Sequence, residues 1–206
     1  MRLGVGLLAV SVLAAGCDAG ESKWSDWTVT AYYTAVESYH DGPRETVHGC
    51  IYLDCVDDDA QLGDLPSDFV DAVRDEGTGR ITSGSNAGAY LNWSYDSGFW
   101  LDSHPRDAAG EILQPFRSAA ADGLEPGTRL RLTDCGIIDP EATATCTKFQ
   151  AAEWSVGDEF IPGPGGPHHL DLYIGEETSP DFPDSPDFPL FAGAAIEPID
   201  DLPDGT

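Results

Sequence analysis

Three features of this 206-residue chain predict a mainly β, loop-rich fold. Asp outnumbers Glu by 25 to 12, and Asp favours turns and caps over helix interiors. There are 23 Gly and 15 Pro, both of which interrupt helices. The segments Arg129–Thr133 and His169–Ile174 alternate apolar with polar residues, as half-buried strands do. The length suits one domain or slightly more. Hydrophobic residues make up 41%, enough for a core, so the acidity does not signal a disordered chain. The formal net charge of -27 excludes partners held by phosphate backbones or anionic lipid headgroups.

The first element is an apolar run, Leu3 to Gly16, preceded by Arg2. It is shorter than the ~20 residues that span a bilayer, and it fits a signal-peptide core. Its end, Leu13-Ala14-Ala15-Gly16-Cys17, resembles a bacterial lipobox. Residues 1–16 are therefore expected to be removed, Cys17 to carry lipid, and 17–26 to act as a tether. An ordinary signal peptide ending near a Cys is the plainer alternative. Four Cys are left, Cys50, Cys55, Cys135 and Cys146, and an even number in an exported chain reads as two disulfides. Three pairings are open. The local ones, Cys50–Cys55 and Cys135–Cys146, are preferred because each brackets a turn-like stretch. The spacings do not match structural zinc, so no metal is expected.

Thr28–Thr34 is rich in β-branched and aromatic residues and predicts a strand. Residues 37–64 read as loop. A short helix follows Pro66, with Ser67 as N-cap, Phe69, Val70 and Val73 on one face, and Gly77 as the stop. Arg80–Ser83 reads as a short strand. Residues 84–116 lack periodicity and read as a long loop that carries Trp93, Tyr95, Phe99 and Trp100. Arg129–Thr133 is a strand, 135–146 a disulfide-bracketed loop, and Phe149–Val156 a further strand. Pro162–Pro167 has no regular structure. In the last strand Leu170, Leu172 and Ile174 share one face, and His169, Asp171 and Tyr173 the other. The Pro- and Asp-rich segment 176–206, with its repeated Ser-Pro-Asp-Phe-Pro, reads as a disordered tail. A docking segment using Phe182, Phe188 and Phe191 is the lesser alternative.

The C-terminal half has a recognisable order of parts. Ala121-Asp122 is followed by Pro126-Gly127-Thr128, an alternating strand, a Gly-rich loop and His169-Leu170-Asp171-Leu172-Tyr173. This order resembles the 3D domain, named for three aspartates, of the MltA-type membrane-bound lytic transglycosylases. RlpA-like lipoproteins are a more distant likeness. The resemblance covers 27–35 and 116–175 and implies a six-stranded double-psi β-barrel over 27–175, interrupted by the insertion 37–115. It implies that Asp122, Asp158 and Asp171 are the three aspartates, with the central one as acid/base. Counting back from Asp171 by the family's spacing lands on Phe160, so Asp158 is the candidate and Glu159 the substitute.

A glycosidic bond breaks when a carboxyl, kept neutral near pH 7, protonates the leaving oxygen. In a lytic transglycosylase the same group then takes the proton of the sugar's own C6 hydroxyl, so one carboxyl serves both steps. With 37 acids in the chain, most are solvated turn residues. Asp171 stands out because it lies within an apolar strand. Asp122 is equally well read as a turn-stabilising side chain. His169 and Tyr173 share the Asp171 face and are candidate sugar contacts, as are Trp93 and Tyr95, although loop aromatics more often serve packing. His168-His169 lacks an evident third metal ligand. No serine-hydrolase elbow or phosphate loop is present, and no cofactor is expected. The expectation is an exported, lipid-anchored, monomeric cell-envelope protein that binds peptidoglycan or another polysaccharide and cleaves it as a lytic transglycosylase. A non-catalytic, expansin-like binding module and a protein-binding surface lipoprotein are the alternatives.

Overall fold

The computed structural model describes residues 24–56, 59–158, 160 and 165–199. The strands and α-helices, in order, are β1 (Trp27–Val36), β2 (Arg44–Gly49), β3 (Ala60–Pro66), α1 (Ser67–Glu76), β4 (Thr78–Arg80), β5 (Tyr90–Ser94), β6 (Gly98–Asp102), β7 (Ser118–Ala121), β8 (Arg129–Asp134), α2 (Thr143–Gln150), β9 (Trp154–Asp158), β10 (His169–Glu176) and β11 (Phe191–Pro198).

β1 serves two structures. Its first half is flanked by β10, parallel, and by β11, antiparallel. From there the pairing runs β10 to β7, β7 to β9 (parallel), β9 to β8, and β8 to β11, closing a six-stranded barrel. A closed six-stranded barrel is what the sequence resemblance implies, but its closing strand, β11, lies beyond the expected bounds of 27–175. Val29, Ala31, Leu170 and Leu172 fill its interior. Phe149 packs there edge-on to Trp154 and Phe191, with ring centroids 5.5 and 5.8 Å away. Such edge-to-face pairs add to the large area each ring buries. α2 lies in the connection between β8 and β9, and Cys135–Cys146 staples it to the strand end.

The end of β1, Ala35 and Val36, pairs in parallel with β4, and β4, β5 and β6 continue as an antiparallel sheet. α1 covers this sheet with Phe69, Val70 and Val73, and the β2–β3 hairpin adds Leu62 and Leu65 to the same core. Gly79 permits the close approach of helix and sheet, since a Cβ there would stand 2.4 Å from Val73 Cγ2. The insertion thus forms a second lobe on the barrel.

Several expectations need correcting. Residues 37–64 contain the β2–β3 hairpin, and 84–116 contain the β5–β6 hairpin. In the second hairpin the pattern is hidden because polar Asn92 and Ser94 occupy buried positions of β5. Asn92 is satisfied there by His104 O and Arg106 N. The helix begins at Ser67 with Pro66 in the capping position and no side-chain cap, while Gly77 ends it as expected. The short strand is Thr78–Arg80, not Arg80–Ser83. Lys148 to Gln150 belong to α2, so only Trp154 onward is strand.

The segment after 176 is not a disordered tail as far as it is described. Phe182 and Phe188 pack edge-on against Tyr33, and Phe191 begins β11, the strand that closes the barrel. Burial of these rings orders a segment that composition alone marks as disordered. Residues 200–206 lie outside the described residues. Both preferred disulfides are present, with Cα–Cα distances of 5.5 Å for Cys50–Cys55 and 6.1 Å for Cys135–Cys146. No helix among the described residues is long and apolar enough to cross a membrane. The signal peptide and Cys17 lie outside the described residues.

Candidate functional site

Strand alternation sends Val29, Ala31, Leu170 and Leu172 into the barrel. It therefore turns Thr30, Tyr32 and Thr34 of β1, with His169, Asp171 and Tyr173 of β10, to the opposite face. The register places Thr30 beside Asp171, Asp171 beside Ala120, and Ala120 beside Asp158. One row across four strands thus carries Thr30, Asp171, Ala120 and Asp158. The two carboxylate-bearing Cα atoms are two strand spacings apart, about 10 Å. The buried Ala120 lies between them.

Thr30 Oγ1 donates to Asp171 Oδ1 at 2.8 Å and lies 2.9 Å from His169 Nε2. Phe160 packs on the His169 ring at 4.5 Å. Tyr32 donates its hydroxyl to Asp158 Oδ2 at 3.3 Å, and its ring lies 5.2 Å from that of Tyr173. Tyr173 is buried, with its hydroxyl 2.5 Å from Thr34 Oγ1. It therefore forms floor, together with Tyr32 and Leu113. The segment that carries Leu113 crosses from the second lobe. Its Ala108 N–H donates to Asp158 Oδ1 at 3.0 Å. Its Asp107 is buried and accepts from Glu111 N–H at 2.7 Å.

Burial raises the Asp171 carboxyl to about 6, against the bonds from Thr30 and from the Leu172 N–H, which favour its charged form. Burial and then the charge of Asp158 lift Asp107 to about 6. Burial and the neighbouring Asp158 and Asp171 push Tyr32 well above its ordinary value, so it stays a donor. Glu76, at the end of α1, is also raised well above the usual carboxylate range, by burial first and Asp171 second. Its Oε2 accepts from Tyr33 N–H at 3.1 Å. A carboxyl with its midpoint near 6 keeps a minor neutral fraction near pH 7, which can donate a proton and take one back.

The structure brings Asp158, Asp171, His169 and Tyr173 together. Asp122 sits at the edge, where its Oδ2 accepts from Gly166 N–H at 2.7 Å and ties down the Gly-rich loop. Gly165 passes so close that a Cβ there would stand 2.1 Å from that oxygen. Glu159 lies outside the described residues. Trp93 packs against the second-lobe core, and Tyr95 is exposed at the tip of the β5–β6 hairpin. A cavity of about 500 Å³, lined by Arg44, Asp64, Ser83 and Asn86 among others, opens on the second lobe and includes none of the carboxylate row. Sequence reasoning missed Thr30, Tyr32, Glu76 and Asp107. For Thr30 and Tyr32 the signal was present in the alternation of β1. Glu76 and Asp107 gave none, because only the packing of the second lobe brings them here.

No family model matches the chain, and no curated protein matches it. Solved structures do. A membrane-bound lytic murein transglycosylase from Agrobacterium tumefaciens is 11% identical with a TM-score of 0.53, over 86% of this chain and 74% of that one. E. coli MltA with bound chitohexaose is 12% identical (TM-score 0.49), over 85% and 72%. The lytic transglycosylase LtgG of Burkholderia pseudomallei is 14% identical (TM-score 0.41), over 85% and 73%. At these identities the likeness to the Agrobacterium protein shows a shared fold.

Proposed function

We propose that this chain binds the glycan strands of peptidoglycan along the Asp158–Asp171 face and cleaves them as a lytic transglycosylase. The observation that carries the reading is Asp171, a strand carboxyl held by Thr30 and raised to about 6 by burial. The fold shared with the Agrobacterium transglycosylase supports it. In the acid form Asp171 protonates the glycosidic oxygen as the C1–O bond breaks. The resulting carboxylate takes the C6 hydroxyl proton as O6 bonds to C1, closing an anhydro ring and restoring the acid. No water enters, so the second carboxylate of a hydrolase is not needed. Asp158, already an acceptor from Tyr32 and Ala108, holds the floor and the crossing segment in place. In this reading Asp171 is the acid/base in place of Asp158, the candidate nearest to Phe160, where the family's spacing lands. Asp122 shapes the loop that precedes His169.

The protein would work in the cell envelope, as a monomer anchored through lipidated Cys17. The test is incubation of the mature chain with purified sacculi and mass spectrometry of the soluble products. Anhydro-sugar fragments from the wild type, and none from Asp171→Asn, are expected. Sacculus binding without such fragments would make this a non-catalytic binding module instead.

A further inference from the structure

Thr30 lies between two titratable side chains. Its hydroxyl carries one hydrogen, and donation to Asp171 Oδ1 uses it. The only way for His169 Nε2, 2.9 Å away, to complete the contact is then to donate to the lone pairs of Thr30. The bonds run one way: His169 Nε2–H to Thr30 Oγ1, and Thr30 Oγ1–H to Asp171 Oδ1. A carboxyl whose Oδ1 accepts in this way must carry its acid proton on Oδ2. Without the imidazole donor, Thr30 is free to turn its hydrogen elsewhere. Asp171 can then place its proton on Oδ1, pointing into Thr30, where it is useless to a glycosidic oxygen.

We propose that His169 is a positioning residue that acts through Thr30 to reserve Asp171 Oδ2 for the acid proton. This rests on the reading of Asp171 as the acid/base. It gives the sequence pair His169 and Asp171 a reason for their spacing: two residues on one strand face, bridged by one hydroxyl of the parallel neighbour. Phe160 on the imidazole face limits how the ring can turn. The other groups around Asp171 are the Leu172 N–H, Tyr32 on β1, Asp158 on β9 and Glu76 on α1. All of them are retained in every variant compared.

The test follows the His169 ring nitrogens and the Asp171 carboxyl carbon by NMR across pH, together with kcat and KM on sacculi. Wild-type His169 is expected as the Nε2–H tautomer when neutral. Thr30→Val removes a donor from the carboxylate and should move the Asp171 midpoint upward by about one pH unit. His169→Phe, which keeps a ring beside Phe160, should move it upward by about half a unit or less, since it acts through a second bond. The decisive comparison is the double variant. On the proposal it should match Thr30→Val alone, because the hydroxyl is the hydrogen-bonded route from His169 to Asp171, whereas a through-space effect of the ring would persist without it. Thr30→Ser and His169→Gln keep the donors and should restore the wild-type midpoint, and His169→Phe should lower kcat with KM little changed. An Nδ1–H tautomer in the wild type, or shifts that add in full in the double variant, overturns the proposal. If the NMR pattern holds but no anhydro product forms, the functional reading falls and the relay stands.

Discussion

Asp171→Asn should make the protein more stable at neutral pH while abolishing cleavage. The Asp171 carboxyl is raised from 3.8 to about 6 on folding. Two units, at 1.36 kcal/mol each, come to about 3 kcal/mol. Allowing for the solvent that reaches this half-buried group leaves about 2 to 3 kcal/mol. The sign follows from proton uptake. Between the two values the folded chain holds a proton that the unfolded chain has lost, so rising pH favours unfolding. The contribution is fully present below about 3.8, is lost progressively up to about 6, and is gone at pH 7.5. Asn is neutral throughout and still offers an oxygen to Thr30. Urea unfolding of both proteins at pH 4 and at pH 7.5 is the assay. The variant should be close to wild type at the lower pH and more stable by the stated amount at the higher. A variant less stable than wild type at pH 7.5, or a difference that does not change with pH, would refute the claim that burial strains this carboxylate.

Three further changes probe the scaffold. Phe182→Ala removes a buried ring from the Tyr33 cluster and should cost about 3–5 kcal/mol in urea unfolding, a loss no disordered tail would show. Replacing Cys135 and Cys146 by Ser frees a loop of sequence separation 11, and the loop-entropy relation gives a destabilisation of about 3 kcal/mol, read as a lower urea midpoint. Gly165→Ala sets a methyl against Asp122 Oδ2 and Phe160 Cβ, so it should break the Asp122–Gly166 bond and reduce sacculus cleavage more than it reduces the melting temperature.

What was legible in the chain was legible through alternation. Thr28–Thr34 and His169–Ile174 have two faces each, so parallel pairing puts Thr30 and Asp171 on one face, and the register of the barrel sets them side by side. The order of parts around Asp122 and Asp171 carried the barrel. The second lobe was illegible for a physical reason. Its strands bury Asn92 and Ser94, paired through side-chain bonds, and so break the apolar pattern that marks a strand. The segment beyond Glu176 was illegible because its order comes from three Phe rings meeting distant partners, Tyr33 and Phe149, and not from any local propensity. The pairing of the 84–116 segment was also hidden from composition. Paired as a hairpin, it places Trp93 against a core and Tyr95 at a tip.

The acidity of the chain therefore says little about its chemistry, and the placing of individual acids says a good deal. Two groups of carboxylates separate by environment. Glu37 accepts from Thr82 N, Ser83 N, Ser83 Oγ and Arg44, and these donors hold it below its ordinary value despite burial. Asp68 and Asp102 are likewise held low by backbone amides and, for Asp102, by Arg106. Such groups are structural, since their charge is already spent on fixed partners. Asp107, Asp171 and Glu76 are raised by desolvation that their hydrogen bonds do not offset. They come from three separate stretches of sequence; Glu76 is electrostatically linked to Asp171, and Asp107 to Asp158, the row partner of Asp171. A fold gains nothing in stability from gathering under-solvated acids. Desolvation, not a fixed cation, sets the charge of these three, and that environment is the physical ground for testing the Asp171 row first as a proton-donating site.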